Sequence, residues 1–386
     1  MDVTRLEAMW PPGSRGPWME SAYEPRIVSV IVPAYNRASL IPESLDSVLA
    51  QTYRPLELIV VDDGSTDETV AVVEAWNGKR TSDPEFVLRM FRQEHAGAPA
   101  ARNHGLVQSR GEFIQFFDSD DLLHPEKIRM QVARLARDVQ LDIIYGRTAR
   151  FTDVADWSGD PYVTFPKAGE QTLTAFLRGG CWPAPSALFR RGACRLVGPW
   201  DEDAPILEDW DYAIRLILGG ARLGFVDDTL LLYRQCHDVR PTVTRRALSP
   251  RSLRGRFALM LRWMNWIRAA GQLDQDVQFW CSRQLFDVAM MCMSVGQVDL
   301  AREILRSLRR LNLALPLSRR AETMYLFVAG LPGWCSPILM RGLHESLGLK
   351  DHATSWLPHS GTGGGPGRPC SLGSGETPAP PRSAGR

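Results

Sequence analysis

At 386 residues the chain is long for one domain, and with 44% hydrophobic residues it can bury one large core with appended elements, or two cores. Those figures, with 23% charged residues, exclude a wholly disordered, collagen-like or polytopic membrane protein. The balance of 45 Lys and Arg against 44 Asp and Glu leaves a net charge of +1, which by itself argues against a dedicated nucleic-acid binder.

Seven cysteines without a C-x-x-C pair fit unpaired thiols in a reducing compartment better than a disulfide frame or a zinc site. Residues 1–25 hold acids, prolines and glycines but no apolar leader-like run, so this segment is expected to be flexible and the protein cytoplasmic.

Residues 27–33 form a short apolar run rich in β-branched side chains, and 56–61 form a second. Such runs suit strands of a parallel sheet covered on both faces. Between them Leu40, Leu45, Val48 and Leu49 fall at helical spacing, and Val70, Val73 and Trp76 do so after the second run. Further along, the pattern predicts a helix over 99–108, a strand over 112–117, and a helix opened by Pro125 with Ile128, Val132 and Leu135 on one side.

Strands are also expected over 141–145, 184–189 and 225–233, with polar, irregular chain up to about 166 and a turn over 195–200. Residues 207–218 read as a helix buried along Trp210, Ala213, Ile214, Ile217 and Leu218 and ended by Gly219-Gly220. From about 251 to 347 amphipathic helices replace strands, including 257–269, 277–293 and 300–311, the last two joined as a hairpin. The uncharged stretch 323–340 is broken by Gly330, Pro332, Gly333 and Pro337 and reads as core or interface helices rather than a membrane span. Residues 355–386, rich in Gly, Pro, Ser and Thr, read as a disordered tail.

Alternating strands and helices predict an α/β fold, a mostly parallel central sheet with helices on both faces, followed by a C-terminal helical region. Ligands of such sheets gather beyond the carboxyl ends of the strands. Three polar segments stand there: Pro33-Ala34-Tyr35-Asn36, Asp62-Asp63-Gly64-Ser65-Thr66-Asp67, and Asp118-Ser119-Asp120-Asp121. Ser65 with Glu68 also fits a capping box for the next helix. Three acids within 118–121 repel one another unless protonation or a cation relieves them, and a hard divalent ion with oxygen ligands is the natural partner.

In chain order, Val28-Ser29-Val30-Ile31-Val32-Pro33-Ala34-Tyr35-Asn36, Ser47-Val48-Leu49-Ala50-Gln51-Thr52, Val61-Asp62-Asp63-Gly64-Ser65-Thr66-Asp67, Ala101-Arg102-Asn103-His104-Gly105 and Phe117-Asp118-Ser119-Asp120-Asp121 resemble the successive signatures of family 2 glycosyltransferases. The resemblance covers about 26–237. It implies a GT-A, Rossmann-like catalytic domain over 26–240 and inverting transfer from a nucleotide-diphospho-sugar, and the amphipathic pattern leaves a helical region over 241–354. By the same resemblance Pro33, Tyr35, Asn36, Asp63, Arg102 and Asp118 would bind the donor, with Tyr35 against the nucleobase. Asp118 and Asp120 would form the D-x-D pair holding Mn²⁺ or Mg²⁺.

Glu208-Asp209-Trp210-Asp211 resembles the family's acceptor-side stretch, which implies Asp209 as general base; acids at a helix N-terminus are the plain alternative. Tyr233-Arg234-Gln235-Cys236-His237 is similar to the segment that closes the catalytic domain. It implies Arg234 near the diphosphate and His237 at the metal, with a surface histidine as the other reading. A UDP-sugar is the expected donor, a carbohydrate or lipid-linked hydroxyl the expected acceptor, and cell-surface or secreted glycan the expected product.

Two other readings stay open at this point. One is a catalytically inactive protein of the same fold that binds nucleotide-sugar or glycan. The other is a nucleotidyltransferase, which would need a basic Gly-rich loop after the first strand. A G-x-G-x-x-G dinucleotide loop is absent from that place. The near-zero charge is itself a cancellation: residues 240–320 hold 15 Arg, no Lys and 5 acids, while the catalytic part is acidic. The Arg-rich helices could meet an anionic surface such as the inner face of a membrane. With a sugar-transfer site in the acidic part, no nucleic-acid partner is expected.

Overall fold

The computed structural model describes residues 9–10, 17–79, 83–152, 154–158, 172–180, 182–204, 206–235, 248–311 and 313. In chain order it contains β1 (Glu24–Ala34), α1 (Ile41–Leu49), β2 (Leu56–Asp62), α2 (Thr69–Lys79), β3 (Phe86–Arg92), α3 (Ala98–Gln108), β4 (Gly111–Phe116), β5 (Leu122–Leu123) and α4 (Lys127–Arg137). Then come β6 (Ile143–Phe151), α5 (Leu173–Gly179), β7 (Ala187–Arg190), α6 (Arg191–Val197), α7 (Glu208–Leu218), β8 (Leu223–Arg234), α8 (Pro250–Ala269), α9 (Gln275–Ser294) and α10 (Val298–Arg310).

Eight strands form one sheet in the order β3-β2-β1-β4-β7-β6-β8-β5. β1 pairs in parallel with β2 (Val30 opposite Leu58) and with β4 (Ile31 opposite Phe116), and β2 with β3. β6 and β8 are also parallel, while β7 runs antiparallel to both of its neighbours and β5 antiparallel to β8. The expected α/β architecture with a mainly parallel sheet is present.

Strand periodicity accounts for the layers. Val28, Val30 and Val32 of β1 point to one face, where Ile41, Leu45 and Val48 of α1 cover them, while Ile31 points to the other with Leu106 of α3. β2 is buried along its whole length, as a strand covered on both faces must be. Gly105 lets α3 approach β1 closely: a Cβ there would lie 2.3 Å from Ile31 Cγ2.

The helices after residue 248 pack into the same core as the sheet. One hydrophobic cluster contains Ile31, Phe116, Trp200 and Trp210 together with Phe257, Trp263, Leu285 and Ile304. Ser249 caps α8 by accepting from Ser252 N–H ahead of Pro250, and Asp274 caps α9 by accepting from Val277 N–H.

Several elements differ from the sequence expectations. β3 and β5 were not predicted, β6 runs on to Phe151 through chain expected to be irregular, and α5 and α6 occupy stretches without a predicted helix. In the segment expected to be flexible, Met9 and Trp18 are buried in the core and Trp10 Nε1 donates to Leu196 O at 3.3 Å, because these large apolar side chains fill the space beside α6. Among the described residues no helix is long and apolar enough to cross a membrane. His237, the stretch 323–340 and the tail over 355–386 lie outside the described residues.

Candidate active site

β1 is flanked by β2 on one side and β4 on the other, so chain order reverses at β1 and a crevice opens beyond its carboxyl end. Pro33 is buried near that end, opposite Val61 of β2, beyond the last β4 pairing at Ile31; there the missing proline N–H breaks no ladder bond to β4. Tyr35 follows, 38% exposed, with its ring stacked on His95 at 4.0 Å between centroids. This pair presents flat apolar faces at the mouth of the crevice.

Asn36 takes the left-handed conformation (φ 53°), and its Oδ1 accepts from Thr66 N–H at 2.8 Å and Asp67 N–H at 3.3 Å. It therefore ties the loops after β1 and β2 together. The Ser65–Glu68 capping box is not what forms here. Ser65 Oγ accepts from Asn36 N–H, and Asp67 Oδ1 takes the Thr69 N–H at 3.0 Å, closer to the start of α2.

Asp63 is buried, and its carboxylate is held by the loop before α3. Oδ1 accepts from Gln93 Nε2 at 2.8 Å and Ala96 N–H at 2.9 Å, while Oδ2 accepts from Gly97 N–H at 2.8 Å and lies 2.8 Å from His95 Nδ1. Asp63 thus shapes the wall on which Tyr35 and His95 stand.

Arg102, 4% exposed, projects from α3 into the centre of the site. Its Nη2 lies 2.9 Å from Asp118 Oδ1, and its Nη1 lies 3.5 Å from Glu208 Oε1 and 3.9 Å from Asp209 Oδ1. The guanidinium stacks over Trp200 at 4.6 Å. Asn103 fixes that tryptophan, accepting from its N–H at 2.8 Å and donating to its carbonyl at 2.9 Å. Sequence positions more than a hundred residues apart, 102 and 208, therefore meet on one cation.

Burial pushes the Asp209 carboxyl up to about 7; Arg102 pulls it down, and Glu208 and Asp118 push it further up. Ala184 N–H points at its Oδ2 from 3.5 Å. Leu207, just before α7, has φ 62° and ψ 30°, an unusual conformation for a residue with a side chain, and it directs the acids of the first turn toward Arg102.

Asp120 faces Arg37 Nε at 3.5 Å, and burial raises its pKa. Asp121 is raised well above the ordinary range by burial and by the charges of Asp120 and Asp118, and its Oδ2 is buried without a hydrogen-bond partner. Among the described residues no group of three or more His, Cys, Asp or Glu could hold a metal ion by itself. Asp118 and Asp120 fit an ion that draws its remaining ligands from phosphate oxygens and water, and such an ion would relieve the crowded negative charge.

Arg234 stands beside the acidic cluster: Nε donates to Asp120 O at 2.7 Å, Nη2 pairs with Glu43, and its N–H donates to Asp121 Oδ1 at 3.0 Å. It locks the acidic loop to the end of β8.

The model of the family described as glycosyl transferase family 2 matches residues 29–197. A PGL/p-HBAD biosynthesis glycosyltransferase of Mycobacterium bovis is 30% identical over 191 residues, covering 48% of this chain and 68% of that protein. The chain belongs to glycosyltransferase family 2. An uncharacterised glycosyltransferase of Rickettsia typhi is 28% identical over 237 residues, 58% of this chain and 68% of that protein. One of Rickettsia felis is 39% identical over 225 residues, but this glycosyltransferase spans about a third, 34%, of that longer protein. Among solved structures, residues 1–349 of Staphylococcus aureus TarS in complex with UDP superpose with a TM-score of 0.58 at 19% identity, over 83% of this chain and 91% of that one. That likeness shows the fold.

In this family 2 enzyme the structure thus brings Asp118, Glu208 and Asp209 together on Arg102 with Asp120 beside Asp118, and joins Tyr35 to Asp63 through His95. Sequence reasoning missed His95 and Arg37. His95 stands in Gln93-Glu94-His95-Ala96-Gly97, two residues before the left-handed Gly97 (φ 98°) that opens α3; a loop leading into a helix beyond a strand end was the available signal. Arg37 adjoins a quoted motif and was overlooked because its contact, Asp120, lies far away in sequence.

Proposed function

We propose that the enzyme transfers a sugar from a nucleotide-diphospho-sugar, a UDP-sugar, to an acceptor hydroxyl with inversion at the anomeric carbon, in a metal-dependent reaction. The observation that carries this reading is the shared guanidinium: Arg102 joins Asp118, at the donor end of the crevice, to Asp209 on the acceptor-side helix.

Asp209 takes the proton of the acceptor hydroxyl as that oxygen attacks the anomeric carbon. The bond from that carbon to the diphosphate oxygen breaks on the opposite face, and its electron pair leaves with the nucleoside diphosphate. A carboxyl pushed up to about 7 suits this role, because a base works best when its pKa lies near the working pH. One carboxylate suffices, unlike the pair that a glycosidase needs. Tyr35 with His95 offers a stacking surface for the base, and Asp63 holds the loop that builds it. Bound by Asp118 and Asp120, Mn²⁺ or Mg²⁺ would supply Lewis-acid stabilisation of charge on the diphosphate.

The TarS structures in complex with UDP and UDP-GlcNAc support a nucleotide-sugar donor here. The acceptor is a carbohydrate or lipid-linked hydroxyl in the synthesis of cell-surface or secreted glycan. Exposed arginines on α8 and α10 (Arg251, Arg254, Arg306 and Arg310) support peripheral contact of a cytoplasmic enzyme with anionic membrane. The catalytic unit would span 26–240 and the helical region 241–354.

The test is nucleoside-diphosphate release from UDP-GlcNAc, UDP-glucose, GDP-mannose and dTDP-rhamnose with Mn²⁺, Mg²⁺ or EDTA, over simple sugars and lipid diphosphates as acceptors. The product configuration is read by NMR. Metal-dependent release with an inverted product supports the reading. Retention of configuration, or an undiminished rate in EDTA, overturns it.

A further inference from the structure

The candidate base stands on a helix whose first turn has no side-chain N-cap. Leu207, at the N-cap of α7, is left-handed and offers no side-chain cap, and three acids (Glu208, Asp209 and Asp211) crowd that turn. What holds the turn lies two residues beyond the base. Asp211 is 1% exposed, and donors from three directions occupy its carboxylate: Arg215 Nε at 3.0 Å on Oδ2, with Arg262 Nη2 at 2.7 Å and Trp263 Nε1 at 3.0 Å on Oδ1. Two of the three donors belong to α8, outside the segment that carries the family signatures.

The same Arg262 Nη2 also pairs with Asp201, which is 4% exposed. Asp201 follows Trp200, the ring on which Arg102 lies. One arginine of the C-terminal helices therefore ties together the two segments that surround the base: the turn bearing Asp209 and the loop bearing the floor under Arg102. Arg215 adds a tie within the catalytic unit, donating to Pro199 O at 2.8 Å.

We infer that α8 is a positioning element for catalysis, in which Arg262 and Trp263 act through Asp211 and Asp201 to hold Asp209 against Arg102. This deepens the proposed function and rests on Asp209 being the base. It gives the C-terminal helices a defined part in the reaction. Neither residue contacts Tyr35, Asp63 or Asp120, and both touch Asp118 only indirectly, through Trp200 and Arg102, so donor binding should suffer less than turnover.

The experiment uses the full chain as Arg262→Ala, Arg262→Lys and Trp263→Phe. It measures kcat for UDP release from UDP-GlcNAc with Mn²⁺, and the dissociation constant of UDP with Mn²⁺ by calorimetry. Arg262→Ala is expected to lower kcat by about 10- to 100-fold, the scale of an ångström-sized misplacement, with the UDP constant unchanged within about twofold. Trp263→Phe keeps an aromatic ring but loses the indole N–H and is expected to lower kcat by a smaller factor, while Arg262→Lys recovers part of the loss. Wild-type kcat in both Arg262→Ala and Trp263→Phe overturns the inference. A parallel loss of UDP binding and kcat also overturns it, since that would mark a support of the whole fold. Should Arg262→Ala fail to fold, Trp263→Phe decides by the same criteria. The base reading fails separately, through full activity of Asp209→Asn.

Discussion

Replacing Arg102 by Met removes the cation that Asp118, Glu208 and Asp209 share at 2.9, 3.5 and 3.9 Å. Removing one partner of a buried ion pair costs about 3–5 kcal/mol, because the other charge stays buried. Here the abandoned carboxylates are partly open (30%, 19% and 30%), so screening places the loss near the low end, about 3 kcal/mol around pH 8. The loss depends on pH with a definite sign. Asp209 already sits at about 7, and without Arg102 pulling it down it rises further. A carboxyl with a folded pKa above its unfolded value of about 3.9 takes up a proton on folding. Its contribution is fully present below about pH 4 and is lost as pH rises through the folded pKa. The variant should therefore lose more stability relative to the parent around pH 8 than around pH 5, while the loss of the Asp118 and Glu208 pairs does not depend on Asp209. Urea unfolding followed by tryptophan fluorescence at those two pH values measures this. A deficit under about 1 kcal/mol at pH 8, or one equal at both pH values, would contradict this.

Three more outcomes follow from the same geometry. Turnover should rise about tenfold per pH unit below 7 and level off above it, since only the ionised Asp209 accepts a proton; a flat profile from pH 5 to 8 contradicts this. Lys127 is fully buried with its Nζ on the Gln115 and Gln131 side-chain oxygens, and burial holds its pKa well below the ordinary value. The unfolded chain then binds the extra proton, so the stability of the parent relative to Lys127→Met should climb as pH rises toward about 10.4; a pH-independent difference in chemical denaturation would sink this. Gly105→Ala forces a methyl to 2.3 Å from Ile31 Cγ2 and should cost about 1–3 kcal/mol in thermal or chemical unfolding, whereas an unchanged midpoint would mean that α3 can shift off β1 freely.

The elements legible in the sequence were those whose burial is uniform. β2, residues 28–34 of β1 and nearly all of β4 are buried, so their apolar runs stand out. β3 was hidden because it is the edge strand: Arg89 and Arg92 interrupt its run, and Arg89 turns to pair with Glu57 and donate to Gln108 O. The second half of β6 was hidden for a related reason, since Arg147 and Arg150 point outward where the register with β8 shifts. In the site, Asp118, Arg102 and Asp209 were readable because each stands in a local motif. Their convergence on a single guanidinium was not, and neither was the grip of Arg262 on Asp211 across 51 residues, which no local pattern announces.

The central claim, that Asp209 is the base of a sugar transfer, is tested most directly by comparing Asp209→Asn with the parent for nucleoside-diphosphate release on the same donor, alongside UDP binding with Mn²⁺. The asparagine keeps the shape of the side chain and can still receive the Ala184 N–H, but it cannot take a proton. A fall in kcat of about 10²–10⁴-fold with UDP affinity preserved is expected. Transfer at the parent rate by the folded variant would contradict it.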